Sequence, residues 1–376
     1  MGEITRIKEY FSGVETTKEH NGYFFSVGEA LTVVILGTLC GLKNVSQISQ
    51  WSEEESVRGL LAKHLGIERI PCYYWLLCLL KLIDMKSLNQ CLMRWAQSLI
   101  PDGKRSMTIS FDGKTIRSTG KMSKNQSPLH IVSAHLAEQG ITLAGRKADD
   151  KSNEIPAVRD LTGLLEAEGC MIVADAMHCQ KETASIVVEK KVDYLFNAKD
   201  NQSAAKKDIA DYVQDDCLRK TMDTFRTFEK NGGRLEERTG FATHDIDWFY
   251  GKGEWKNLSC IGAIHRRFTY KGKTSDEWHY YISSRELTAE ELLRHARLEW
   301  SVESMHWLLD AHFSEDYCRI EDETVQQVLN AVRKIALNCV KTHKQKTNSK
   351  FPLSRIMLGC LLDCRKLIPV LLSCEN

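Results

Sequence analysis

The chain has 376 residues, 43% hydrophobic and 27% charged, with a formal net charge of +1, the balance of a globular protein with a sizeable core. A dedicated non-specific nucleic-acid binder would be more basic, so only local patches are left to meet phosphates. No apolar run is long enough to span a membrane, and 13 scattered cysteines without a Cys-x-x-Cys pair argue against a zinc ribbon or thioredoxin-type site and for reduced thiols in a cytoplasmic protein.

The opening "MGEITRIKEYF" carries acids and no apolar signal core, so no secretory signal is expected. Residues 1–105 read as a small all-helical domain. "EALTVVILGTLCGL" is a buried helix. "SQISQWSEEESVRGLLAKHLG" is an amphipathic helix starting near Ser46 or Ser49, and "YYWLLCLLKLI" and "SLNQCLMRWAQSLI" continue the pattern. Pro101-Asp102-Gly103 breaks the chain and marks a domain boundary.

The texture then changes. "MTISFDG" is a strand, and "LHIVSAHLAEQGITLAGRKA" is two strands around a Gln139-Gly140 turn. "IPAVRDLTGLLEAEG" is a helix opened by Pro156 and closed by Gly169, with Asn153 as a candidate cap. "CMIVADAM" is a short, nearly continuous apolar run of the kind that forms a buried parallel strand. "KETASIVVEKK" (helix), "DYLFNAKDNQ" (strand) and "SAAKKDIADYVQDD" (helix) follow. Alternating strands and helices predict an α/β sheet covered on both faces. Residues of about 218–278 are short, polar and strand-like and read as a β-rich insertion. "YYISSRE" is the last strand, and "TAEELLRHARLEWSVESMHWLLDAHF" and "TVQQVLNAVRKIALNCVKTH" are two long closing helices.

Two apolar strands end in aspartate, "TISFD" in Asp112 and "MIVAD" in Asp175. An Asp-Gly pair such as Asp112-Gly113 is also a common hairpin signal. In open α/β sheets, however, function gathers at the carboxyl ends of strands. Two facing carboxylates repel, a divalent cation relieves that repulsion, and oxygen ligands suit Mg²⁺ or Mn²⁺. Glu299, Glu303 and Asp310, on one helical segment at spacings of four and seven, are candidates for a third ligand.

In this order, "SFDGKTIR", "DDKSNEIPAVRDLTGLL", "VADAMHCQKE", "DYLFNAKDNQ", "GGRLEER", "YYISS" and "EWSVESMHWLLDAHFSEDYCR" resemble the DDE transposases of the H-repeat-associated insertion-sequence family, linked to Rhs elements in bacteria. The resemblance covers nearly the whole chain. It implies an α/β, RNase H-like catalytic domain over 106–376, with the insertion at about 218–278, preceded by the helical domain for DNA-end recognition or dimerisation. It places a catalytic, metal-binding triad on Asp112, Asp175 and Glu303, holding two Mg²⁺ ions with Mn²⁺ able to substitute. The implied activity is metal-dependent cleavage and strand transfer at the ends of the element itself. The implied partners are double-stranded DNA, at element ends and target, and a second protomer on that DNA. Three positions depart from the family pattern: Glu299 stands for its His, Ser304 for its Asn and Asp200 for its Gly. They motivate an alternative, a catalytically degenerate DNA-binding derivative. A phosphohydrolase with an aspartyl nucleophile fits poorly, because "DGKT" lacks a second aspartate two residues after Asp112.

Candidate DNA contacts are Lys114, Lys199, Asn201, Gln202, Arg234 and Arg238. Lys114, Arg117, Lys121 and Lys124 form one basic patch, and Arg333, Lys334, Lys341, Lys344, Lys346, Lys350 and Arg355 another; either can equally be a solvated face. Lys151, Ser152, Asn153 and Glu154 read as a loop near the site. His178 reads as structural, His306 and His312 as too far apart in helical phase for one metal, and Trp300 and Trp307 as core.

Overall fold

The computed structural model describes residues 6–18, 25–100, 107–120, 127–149, 153–231 and 234–375. The proposed boundary at Pro101-Asp102-Gly103, together with Lys121, Lys124, Lys151 and Ser152, lies outside them. The chain opens with helices α1 (Arg6–Ser12), α2 (Val27–Leu39), α3 (Val45–Glu53), α4 (Glu55–Leu65), α5 (Tyr73–Leu82) and α6 (Met85–Ser98). Helix α2 is apolar apart from Glu29 in its first turn and two threonines, and is buried along nearly its whole length, as its sequence predicts. The single amphipathic helix expected after Ser46 is instead two. Asn44 opens α3 by accepting from the Gln47 N–H at 2.9 Å, and the extended backbone of Glu54 separates α3 from α4.

Strand β1 (Thr108–Ile116) does not turn at Asp112-Gly113. It runs straight through, paired antiparallel to β2 (Leu129–Leu136) as far as Ile116↔Leu129. Gly113 serves close packing: a Cβ there would collide with the Glu154 carboxylate and the His130 ring. The expected turn at Gly140 (φ +66°) joins β2 to β3 (Ile141–Ala148). Helix α7 (Glu154–Leu164) starts two residues before Pro156, and the Asn153 side chain makes no capping hydrogen bond, which corrects the capping expectation. Next come β4 (Met171–Ala174), α8 (Lys181–Glu189), β5 (Asp193–Ala198), α9 (Ser203–Gln214) and α10 (Asp216–Arg219).

The polar segment forms β6 (Asp223–Asn231), β7 (Arg234–Thr243), β8 (Cys260–Tyr270) and β9 (Lys273–Ser283), and "YYIS" is the end of β9. Because β9 pairs with β5, this segment lengthens the central sheet. Among the described residues the nine-stranded order is β3-β2-β1-β4-β5-β9-β8-β7-β6. Strands β1, β4 and β5 are mutually parallel, and the flanking pairs are antiparallel. The first of the two expected closing helices is broken into α11 (Ala289–Leu298) and α12 (Ser301–Phe313). Then come α13 (Glu323–Lys346), α14 (Leu353–Leu362) and α15 (Leu367–Leu372).

The sheet is covered on both faces. Along β4, Ile172 and Ala174 enter the larger core while Met171 and Val173 pack beneath Leu292 and Ala296 of α11, the alternation expected of a buried strand. Helix α13 lies against α2, α5, α6 and β3, so the amino-terminal helices share one core with the sheet. This placement corrects the basic patch on α13. Arg333 and Lys334 are only 3% and 1% exposed, and Arg333 faces Glu315 at 3.7 Å. No helix among the described residues is long and apolar enough to cross a membrane.

Candidate active site

The parallel ladder between β1 and β4 ends at Phe111↔Ala174. Asp112 and Asp175 are each one residue beyond that pair, so the register brings them to the same level on adjacent strands. Asp175 leaves the sheet into the short turn Ala176–His178, and its Oδ1 accepts from the Ala176 N–H at 2.6 Å. Asp112 stays in β1, on the face that α12 crosses. Three contacts along that face fix the helix: Ser110 Oγ to Ser301 Oγ at 3.2 Å, Asp112 Oδ2 to His306 Nδ1 at 3.2 Å, and Lys114 Nζ to Asp310 Oδ2 at 2.5 Å.

The break between α11 and α12 delivers the remaining acids. Glu299 sits at the break, and Glu303 lies exposed in the first turn of α12. They do not share a face of one continuous helix, as their spacing suggests, yet both line a cleft of about 490 Å³ together with Asp112 and Asp175. Lys199, Arg238, Arg266, His279 and Arg297 also line it, so acids and cations share one cleft. Trp300, expected in the core, lines the same cleft and is 61% exposed; Trp307 is 66% exposed.

The electrostatics match a crowded acidic site. Burial pushes Glu299 up to about 7, and the charges of Asp175, Glu303 and Asp112 push the same way while Lys199 opposes them. Burial also acts to raise Asp175, but the Ala176 N–H and Lys199, whose Nζ is 3.1 Å from Oδ1, outweigh it and hold Asp175 low. Among the described residues, no three His, Cys, Asp or Glu side chains converge closely enough to hold a metal ion. The donor set nevertheless fits a hard divalent cation. Four carboxylates share the cleft, the half-buried Glu299 is disfavoured as an anion by the other three, and Asp112 and Asp175 each contact a nitrogen, of His306 and of Lys199, that a metal ion would replace.

The other sequence candidates separate clearly. Lys114 is enclosed by Asp310, Glu315 (3.4 Å) and Asp316 (3.6 Å), which balance its charge within the protein. Asn201 Nδ2 donates to the Ala176 carbonyl at 2.6 Å and Gln202 Nε2 to the Cys179 carbonyl at 2.9 Å. Their amides tie down the turn after Asp175 rather than reaching outward. Arg238 lines the cleft, paired to Glu236 at 2.7 Å and Glu229 at 3.2 Å. Arg234 opens β7 opposite Asn231. Lys199 is half-exposed at the mouth of the cleft.

Sequence reasoning missed Arg266, Arg297 and His279, which reach the cleft from β8, α11 and β9. Arg266 pairs with Glu236 and Glu277, and Arg297 with Glu229. Strand alternation could have placed Arg266 and Arg238 on one face, since they are cross-strand partners in the register. It also missed the contact of His306 with Asp112.

Residues 103–339 match the family described as transposase DDE domain, and residues 8–96 match one described as DDE_Tnp_1-associated. An Escherichia coli O157:H7 protein named as a transposase, YncI, is 29% identical over 351 residues, 91% of this chain and 88% of its own. The H repeat-associated protein YhhI of Escherichia coli strain K12 is 27% identical over 357 residues, 91% of this chain and 92% of its own. Among solved structures, a piggyBac transposase synaptic complex with hairpin DNA aligns with 97% of this chain and 77% of that one at TM-score 0.45 and 12% identity, a likeness too loose to carry weight.

Proposed function

We propose that this chain, which belongs to the transposase DDE domain family, is a metal-dependent DNA transposase that cuts and transfers the ends of its own H-repeat-associated insertion sequence. The observation that carries the reading is the register Phe111↔Ala174, which sets Asp112 and Asp175 side by side in a cleft that Glu303 also lines. The order β3-β2-β1-β4-β5, parallel across β1, β4 and β5, supports an RNase H-like core. Residues 106–376 are assigned to catalysis. Residues 1–105 are assigned to recognition of DNA ends or to joining two protomers on DNA, in the bacterial cytoplasm.

Asp112, Asp175 and Glu303 would hold two Mg²⁺ ions, with Mn²⁺ able to substitute. Such ions supply Lewis-acid stabilisation to the attacking and leaving oxygens of a phosphodiester. In the first reaction, water attacks phosphorus and the 3′-oxygen leaves, taking a proton. In the second, the freed 3′-hydroxyl attacks a target phosphodiester and displaces another 3′-oxygen. The chain's own part is to orient the backbone. Lys199 and the arginines at 238, 266 and 297 meet phosphates, and the amides of Asn201 and Gln202 keep the Asp175 turn in place. Glu299 adds a fourth acid where phosphate approaches.

The test is nicking of labelled DNA bearing the flanking ends of the element, in Mg²⁺, Mn²⁺ or chelator. Wild type is expected to nick only with metal. Asp175→Ala and Glu303→Ala should each lose several kcal/mol of transition-state stabilisation, about a thousandfold in rate, while still binding the ends. Specific end binding by wild type without nicking in either metal would overturn the assignment and leave a degenerate binder.

A further inference from the structure

The motif around "DDKSNEIP" has no role in the site described above, and its buried acid, Glu154, occupies an unusual position. Glu154 is 6% exposed, at the start of α7. Oε1 lies 2.8 Å from His130 Nε2 on β2, and Oε2 lies 3.6 Å from His178 Nε2 in the turn that follows Asp175. His130 is held in turn by Thr115, whose Oγ1 is 2.8 Å from Nδ1. The same carboxylate packs where a side chain on Gly113 would be, one residue along β1 from Asp112 and on the other face of the strand. Burial alone would favour the neutral acid, but the two histidines overcome it and hold Glu154 down at about 2. It therefore stands ionised between the two segments that carry the strand-end aspartates.

We propose that Glu154 is a positioning residue. Through His130 and Gly113 on one side and His178 on the other, it fixes the separation of Asp112 and Asp175 and so sets the affinity of the cleft for a divalent cation. This rests on the metal-binding reading of the cleft. The physical basis is that of outer partners to metal ligands generally, which orient the donors without touching the ion. It explains why an acid, a glycine and two histidines far apart in sequence meet on the face of β1 opposite Asp112.

The experiment is titration of the full-length, metal-free protein with Mn²⁺, free Mn²⁺ being followed by electron paramagnetic resonance, with thermal unfolding and end-DNA binding in chelator measured on the same samples. Glu154→Ala is expected to weaken Mn²⁺ binding about tenfold or more. Glu154→Gln, which still accepts from His130, should recover most of the affinity. Because removing a buried acid can prevent folding, His178→Ala is the second variant. It removes the 3.6 Å link without removing the buried acid, and is expected to weaken Mn²⁺ binding several-fold in protein that still folds and binds the ends, with a lower melting temperature from the cavity left by the buried ring. Wild-type Mn²⁺ affinity in both folded alanine variants would overturn the positioning role and leave the metal reading intact. Failure of the wild-type protein itself to bind Mn²⁺ would overturn the metal reading, and the positioning role with it.

Discussion

Glu299 reports most directly on how crowded the acids are. Burial and its acidic neighbours raise it from the usual carboxylate range to about 7, so between those limits the folded chain binds a proton that the unfolded chain releases. Its stabilising contribution is complete below that window and is lost as pH rises through it. In chelator, Glu299→Gln is therefore expected to match wild type near pH 4.5 and to be more stable at pH 8, by on the order of 1–3 kcal/mol, in urea unfolding at the two pH values. An equal effect at both would contradict the crowding. At this scale the positions of Asp112 and Asp175 at strand ends were legible because strand ends can be located from apolar patterning, whereas spacing left Glu303 level with Glu299 and Asp310 and only the family resemblance singled it out. The cations were less legible. Charge does not reveal direction, and the alternation that points Asp112 at α12 also turns Lys114 into the acids Asp310, Glu315 and Asp316. Glu154 was read only as part of a loop near the site; its place between two buried histidines was not legible, because an acid two residues before Pro156 reads as an ordinary helix start.

Among the elements, β1 answers the question raised by its Asp-Gly pair. The glycine is there because Glu154 and His130 occupy the space of a Cβ, not because the chain turns. Gly113→Ala is accordingly expected to destabilise the protein by about 1–3 kcal/mol in urea unfolding, as overpacking of a tight interior does. A glycine needed only for turn chemistry would tolerate the change in this extended strand. The β2–β3 hairpin, the buried β4 and the largely apolar α2 were visible in sequence because period and composition agree there. Two breaks were not, at Glu54 between α3 and α4 and at Glu299-Trp300 between α11 and α12. Neither contains proline or glycine, so packing sets them against local helical preference. The second break matters more, since it places Glu299 and Glu303 at one cleft from two helices.

Over the whole molecule, a change in texture near residue 105 suggests separable parts, but the core does not divide there. Helix α13 packs on α2, α5 and α6 as well as on β3, and its burial runs almost from end to end. A fragment of residues 107–376 is therefore expected to expose that apolar face and to lack cooperative thermal unfolding by circular dichroism. A sharp transition like that of the full chain would contradict the shared core. Composition could not reveal this, because a helix buried between two layers has the same apolar pattern whichever layers cover it. The polar segment was ambiguous for a related reason. Antiparallel strands with one solvated face read as polar whether they form a separate lobe or, as here, continue the sheet through β9 and β5.

The most direct measurement is a crystal structure at saturating Mn²⁺ with anomalous differences recorded for the metal. The expected result is a Mn²⁺ peak bounded by Asp112, Asp175 and Glu303, with Lys199 displaced from Asp175 and His306 from Asp112. A peak elsewhere, or a cleft without metal in which both contacts persist, would contradict a metal-dependent transposase built on these three carboxylates.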